Sequence, residues 1–134
     1  TDQDLFAEIS QSGYTFFKQG TLLSAAAPSP HGSFKLRFNS TAYAALDSAG
    51  KLPVGKTFPT GSIIVKEVYD GNSISLYAIM KKNPTHKDAG SGWIWSEIKP
   101  NGTAAYSTGK KGSACISCHN ENSNRDLVRT FDLH

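Results

Sequence analysis

Ser62-Ile63-Ile64-Val65-Lys66-Glu67-Val68-Tyr69-Asp70-Gly71-Asn72-Ser73-Ile74-Ser75-Leu76-Tyr77-Ala78-Ile79-Met80-Lys81 reads as two strands joined by a tight turn. Ser62 to Tyr69 is β-branched and apolar, and Asp70-Gly71 is a strong hairpin signal. The return strand, Ser73 to Lys81, places Ile74, Leu76, Ala78 and Met80 on one face, because side chains alternate along a strand. Phe58-Pro59-Thr60-Gly61 is the turn that leads in. Upstream, Phe34, Leu36 and Phe38 alternate with Ser33, Lys35 and Arg37, the pattern of a half-buried strand. Downstream, Trp93, Trp95 and Ile98 predict another strand. Pro100-Asn101-Gly102 then turns the chain into a short one near Ala104 to Tyr106.

Helices flank these strands. Thr1 with Asp4 resembles a capping box, and Leu5, Phe6, Ile9, Phe16 and Phe17 recur at helical spacing up to Gly20. Asn39 or Ser40 can cap a short second helix to about Ser48, closed by Gly50. Ala25 to Gly32 is a loop punctuated by Pro28 and Pro30. Ser113 to about Asn122 reads as a short helix, and Arg125 to Phe131 as a further one. The expected class is α+β: an antiparallel sheet of about five strands, an N-terminal helix, and a short helix near the C-terminus. The 134 residues make one domain, 1–134.

Composition narrows the function. Hydrophobic residues are 38% and charged residues 19% of the chain, which excludes disorder. No apolar run approaches the ~18 residues of a membrane span. A net charge of +3, scattered along the chain, does not make the dense basic face that nucleic acid requires.

Both cysteines fall in Cys115-Ile116-Ser117-Cys118-His119, the attachment motif of c-type haem. Two thiols on adjacent helical turns add across the two vinyl groups of one porphyrin. The next residue then lies under the ring, where an imidazole nitrogen reaches the iron. A redox Cys-x-x-Cys pair would not require the following His. A structural zinc site usually brings a second Cys pair, which is absent. One covalent haem c is therefore expected, held by Cys115 and Cys118, with His119 as axial metal ligand. Such thioethers form in the bacterial periplasm or an equivalent compartment. The opening Thr1-Asp2-Gln3-Asp4 lacks a secretion signal, so a signal is expected to have been removed.

Further residues carry a family resemblance. Pro30-His31-Gly32, the run Phe58-Pro59-Thr60-Gly61-Ser62-Ile63-Ile64-Val65-Lys66-Glu67, then Met80-Lys81-Lys82, Trp93, and Cys115 to His119 followed by Arg125-Asp126 resemble the cytochrome P-460 family. The beta-type cytochromes c-prime are close relatives. The resemblance covers the chain from about Ala27 onward. It implies a mostly β monohaem cytochrome, often dimeric, so a homodimer or higher homo-oligomer is open. It also implies that Lys66 lies close to the haem and matches the lysine that the oxidase branch cross-links to the porphyrin edge. That branch uses a distal carboxylate as proton acceptor. Alignment puts Tyr77 near its position, and there is no Asp or Glu between Asp70 and Asp88.

The sixth iron position stays open between Met80, His31, a neighbouring chain's His134, and no protein ligand. A Met80 thioether would raise the potential and favour electron transfer; the alternative is a core-filling methionine. His86 lies in a polar loop. With no ligand, an apolar distal wall favours a neutral diatomic such as nitric oxide. Lys81, Lys82, Lys110 and Lys111 can steer an acidic redox partner, or simply form a solvated surface. Trp93 and Trp95 share a face, as core or dimer-packing residues. The leading expectation is electron transfer in the periplasm or outside the cell. The alternatives are nitric oxide binding, and hydroxylamine or nitric oxide oxidation with Lys66 cross-linked.

Overall fold

A computed structural model of the chain describes residues 1–23, 33–113 and 126. The expected loop at Ala25 to Gly32, the helices from Ser113 and Arg125, the motif at Cys115 to His119, and His31 and His134 lie wholly or almost wholly outside these residues. The elements are α1 (Asp2–Ile9), β1 (Thr15–Phe16), β2 (Phe34–Phe38), α2 (Ser40–Tyr43), β3 (Ile63–Asp70), β4 (Ser73–Lys82), β5 (Trp93–Ile98) and β6 (Ala104–Tyr106). The six strands form one antiparallel sheet whose spatial order is their chain order. The α+β class therefore holds, with one strand more than expected.

The extra strand comes out of the opening helix. The capping box is present, with Thr1 Oγ1 accepting from the Asp4 N–H and the Asp4 carboxylate reaching back to Thr1. But α1 ends at Ile9. The polar run Ser10 to Gly13 gives a helix little to bury, and Gly13 turns the chain at φ +93°. Thr15 and Phe16 then pair with Phe38 and Arg37. The second helix is also shorter than expected. Asn39 caps it by accepting the Ala42 N–H at 3.0 Å. The same side chain accepts the Ile63 N–H and donates to the Gly61 carbonyl, tying α2 to the start of β3.

Strand alternation divides the residues between two faces. Register places Phe38, Ile64, Met80 and Trp95 in one row, and Leu36, Lys66, Ala78, Glu97 and Tyr106 in the next. This front face holds a core of Phe17, Phe34, Leu36, Phe38, Leu52, Phe58, Ile64, Met80, Trp93 and Trp95. The back face carries Ile63, Val65, Ile79, Ile94 and Ile98, covered by Leu5 and Ile9 of α1. Arg37, on this back face, is buried rather than solvated. Its Nε donates to Glu67 at 2.8 Å and its Nη1 to the Ile9 carbonyl at 2.8 Å. The cation thereby meets the negative end of α1.

Asp2 fastens the other end of α1. Its carboxylate accepts from Ser96 Oγ and Ser107 Oγ at 2.8 Å and from the Thr108 N–H at 3.0 Å. Burial pushes the Asp2 carboxyl up, but the hydrogen bonds from Thr108, Ser107 and Ser96 outweigh it and hold the group below its ordinary 3.8. A carboxyl lowered by folding stabilises the fold above its unfolded value, and that contribution is lost as pH falls through the folded value. The wild type should therefore lose more urea resistance than Asp2→Asn between pH 6 and pH 3, with the difference opening below about pH 4.

At the entry to β3, Ser62 is fully buried and its Oγ has no hydrogen-bond partner among the described residues. An unpaired buried hydroxyl costs about 1–3 kcal/mol. Ser62→Ala should raise the urea midpoint, by about 1 kcal/mol in stability, with an unchanged slope.

Candidate functional site

Half of the front face is sealed and half is not. The Phe38–Ile64–Met80–Trp95 row is buried throughout. In the next row and just beyond it, Lys66, Ala78, Glu97 and Leu76 are only part-buried. Ala78 sits in the middle of its row, between Lys66 and Glu97. It presents a single methyl where a larger side chain would fill the surface. Among the described residues, this part-buried stretch with a small residue at its centre is the portion of the front face open to a flat ligand such as a porphyrin.

Two charged groups flank Ala78 in this row. Lys66 shares its face with Ile64 and Val68, as the alternation requires, and its Nζ lies 4.3 Å from the centre of the Phe34 ring. That contact holds the amine over an aromatic face as a cation–π pair. Glu97 stands two strands away in the same row, about 10 Å by strand spacing. The front face thus carries a carboxylate after all, on β5. Glu97 has the parity of Trp93 and Trp95, so its place on this face follows from strand alternation.

Tyr77 is not there. It neighbours Ala78 on β4, so its side chain takes the back face. It packs edge-on against Phe6 at 6.4 Å and lies 5.9 Å from the Arg37 guanidinium. With Tyr14, Arg37 and Glu67 it lines a cavity of about 480 Å³ on that side. Alternation alone separates it from Lys66, so it cannot replace a carboxylate on the Lys66 face.

Met80 lies on the front face, one row from Lys66, enclosed by the aromatic core at 7% exposure. Trp93 and Trp95 are likewise core residues, 0% and 2% exposed. His86 stays in its loop, where Nδ1 accepts the Asp88 N–H at 3.1 Å. Among the described residues no group of three or more His, Cys, Asp or Glu could hold a metal ion.

The lysines expected to steer a partner divide. Lys110 and Lys111 are exposed. Lys81 pairs with Glu8 at 2.8 Å. Lys82 is buried, with Nζ 2.8 Å from both oxygens of Asp126. It is therefore not part of a solvated surface. It ends β4 with the parity of Met80 and so points into the front face.

The flanks of the Cys115–His119 segment are both fixed on this front face. On the near side, Ser113 Oγ and Tyr106 Oη are 3.1 Å apart. Gly112 lies flat on Trp95, and a Cβ there would stand 2.3 Å from the indole. On the far side, Asp126 accepts the Phe58 N–H at 2.9 Å and the Trp93 Nε1–H on its backbone carbonyl at 3.0 Å. Trp93 and Trp95 are two residues apart on β5, about 7 Å. Ser113 and Asp126 are thus both held on the front face, Ser113 at Tyr106 in the Ala78 row and Asp126 at the Lys82–Trp93 pair two rows away.

No helix of the described residues is long and apolar enough to cross a membrane. No curated protein matches the chain. The family pattern of cytochrome P460 matches residues 17–130 of the 134, and the chain belongs to the cytochrome P460 family.

Proposed function

We propose that the chain is a monohaem c-type cytochrome that carries electrons in the periplasm or outside the cell, with its haem seated on the front face of the sheet. Family membership implies haem binding. One observation supports the seat: the residues on both sides of the Cys115–His119 segment, Ser113 and Asp126, are fastened to the front face. Cys115 and Cys118 form the thioethers and His119 binds the iron. The haem supplies reversible one-electron chemistry at that iron. The protein's own contribution is the apolar wall of Leu76, Ala78 and Val68, which keeps water from one side of the site. Lys66 and Glu97 set the charge at its border. Exposed Lys110 and Lys111, next to the attachment segment, steer an acidic redox partner.

A second reading rests on Met80. Its packing among Phe38, Ile64, Trp93 and Trp95 supports a core-filling role over a bond to iron. Without that thioether, the site has room for a neutral diatomic such as nitric oxide. If Lys66 is bonded to the porphyrin edge, the same site serves hydroxylamine or nitric oxide oxidation, with Glu97 as the nearby carboxylate.

The absorption spectrum of the matured protein and of Met80→Ala separates these readings. Low-spin bands with a methionine–iron charge-transfer feature, lost on substitution, identify a His/Met electron carrier. High-spin ferrous iron that binds nitric oxide equally in both proteins identifies the open site. A strongly red-shifted ferrous Soret band identifies the cross-link.

A further inference from the structure

The connection from β4 to β5 is folded tightly on itself. The His86 N–H donates to the Asn83 carbonyl at 3.2 Å and the Ala89 N–H to the His86 carbonyl at 3.0 Å. Gly90 and Trp93 exchange both backbone bonds, at 2.8 and 3.1 Å. Between them Ser91 takes the left-handed region, at φ +52°, which disfavours any residue with a Cβ. The Gly90 carbonyl also accepts the Trp95 Nε1–H at 2.9 Å, and Trp95 is the indole against which Gly112 packs. The bend at Gly90 therefore holds the side chain that carries one margin of the cysteine segment.

One bond in this bend depends on a proton. The Asp88 N–H donates to His86 Nδ1 at 3.1 Å, and it has no other acceptor among the described residues. A backbone N–H can only donate, so Nδ1 must hold a lone pair and the proton of the neutral ring sits on Nε2. A second proton makes both ring nitrogens donors and sets N–H against N–H. The charged groups recorded around the bend are paired with one another. Lys87 and Asp88 lie within it, 3.3 Å apart. From the end of β4, Lys82, bound to Asp126, faces Gly92, its Nζ 3.3 Å from where a Cβ would stand. Acidification therefore acts on the imidazole and its one acceptor bond.

We propose that His86 is a proton-operated clasp on the β4–β5 connection: neutral, it holds the bend through the Asp88 N–H; charged, it releases Asp88 and loosens the hold of Gly90 on Trp93 and Trp95. The clasp is built from residues 83–95 alone and does not depend on where the haem sits.

The test is amide hydrogen exchange of the matured, full-length protein at pH 8 and pH 5, the span in which histidine side chains change charge. Residue-resolved mass spectrometry reads Asp88, Gly90 and Trp93, with each rate corrected for the intrinsic effect of pH. Wild-type protection at these amides should fall about fivefold at pH 5, the worth of one hydrogen bond. His86→Asn keeps an oxygen that can accept the N–H two residues on but does not titrate, and should stay protected at both pH values. His86→Leu removes the acceptor and should be weakly protected at both. An unchanged wild type would overturn the inference. So would a fall that persists in His86→Asn, because another group would then be the one that takes up the proton.

Discussion

Cys115→Ala combined with Cys118→Ala should abolish covalent pigment altogether. The wild type should keep its colour through acid acetone extraction, and its intact mass should equal the polypeptide plus one haem. The double variant should give colourless polypeptide and free haem in the extract, at the mass of the bare chain. The reason is bond type: a thioether is a covalent carbon–sulfur bond that survives acid, whereas a coordinate iron–imidazole bond is lost when acid protonates the imidazole. Each single variant should keep one thioether and remain coloured, because either sulfur suffices to tether the porphyrin. A wild type that loses its pigment to acid acetone would remove the basis for assigning Cys115 and Cys118.

The second large effect lies on the opposite face. Glu67→Leu should destabilise the fold by about 3–5 kcal/mol, the usual cost of breaking a buried pair from one side. Arg37 and Glu67 side chains are each 10% exposed and joined at 2.8 Å. Without Glu67, the guanidinium keeps, among the described residues, the Ile9 carbonyl as acceptor and the rings of Tyr14 at 4.7 Å and Tyr77 at 5.9 Å. Arg37→Met with Glu67→Leu should recover most of the loss, because both charges then leave the interior together. Urea midpoints of the two variants read this directly. With the haem seated as proposed, its spectrum should stay unchanged in both, since the pair lies across the sheet from Lys66 and Ala78. A Glu67→Leu protein as stable as wild type would show that Arg37 finds water in place of its partner.

Much of this was legible in the residues. The hairpin from Ser62 to Lys81 announces itself through β-branched alternation and Asp70-Gly71, and Gly71 takes φ +64° as such a turn requires. The shared face of Lys66, Ile64 and Val68 follows from the same period of two. What escaped was tertiary. Phe16 and Phe17 have helical spacing from Ile9, but local pattern carries no information about an edge strand to which Thr15 and Phe16 can pair. Lys82 looks like the outer end of a Lys81-Lys82 charge run until Asp126, forty-four positions on, is brought to it. Arg37 reads as the polar side of a half-buried strand, because its partner Glu67 sits thirty positions away. Tyr77 takes the back face by alternation alone, since it neighbours Ala78 on the same strand.

The six strands pair in chain order, so every partner along the sheet is the next strand in the sequence. Contacts of such short separation let the sheet close progressively from Thr15 to Tyr106 without bringing distant parts of the chain together first.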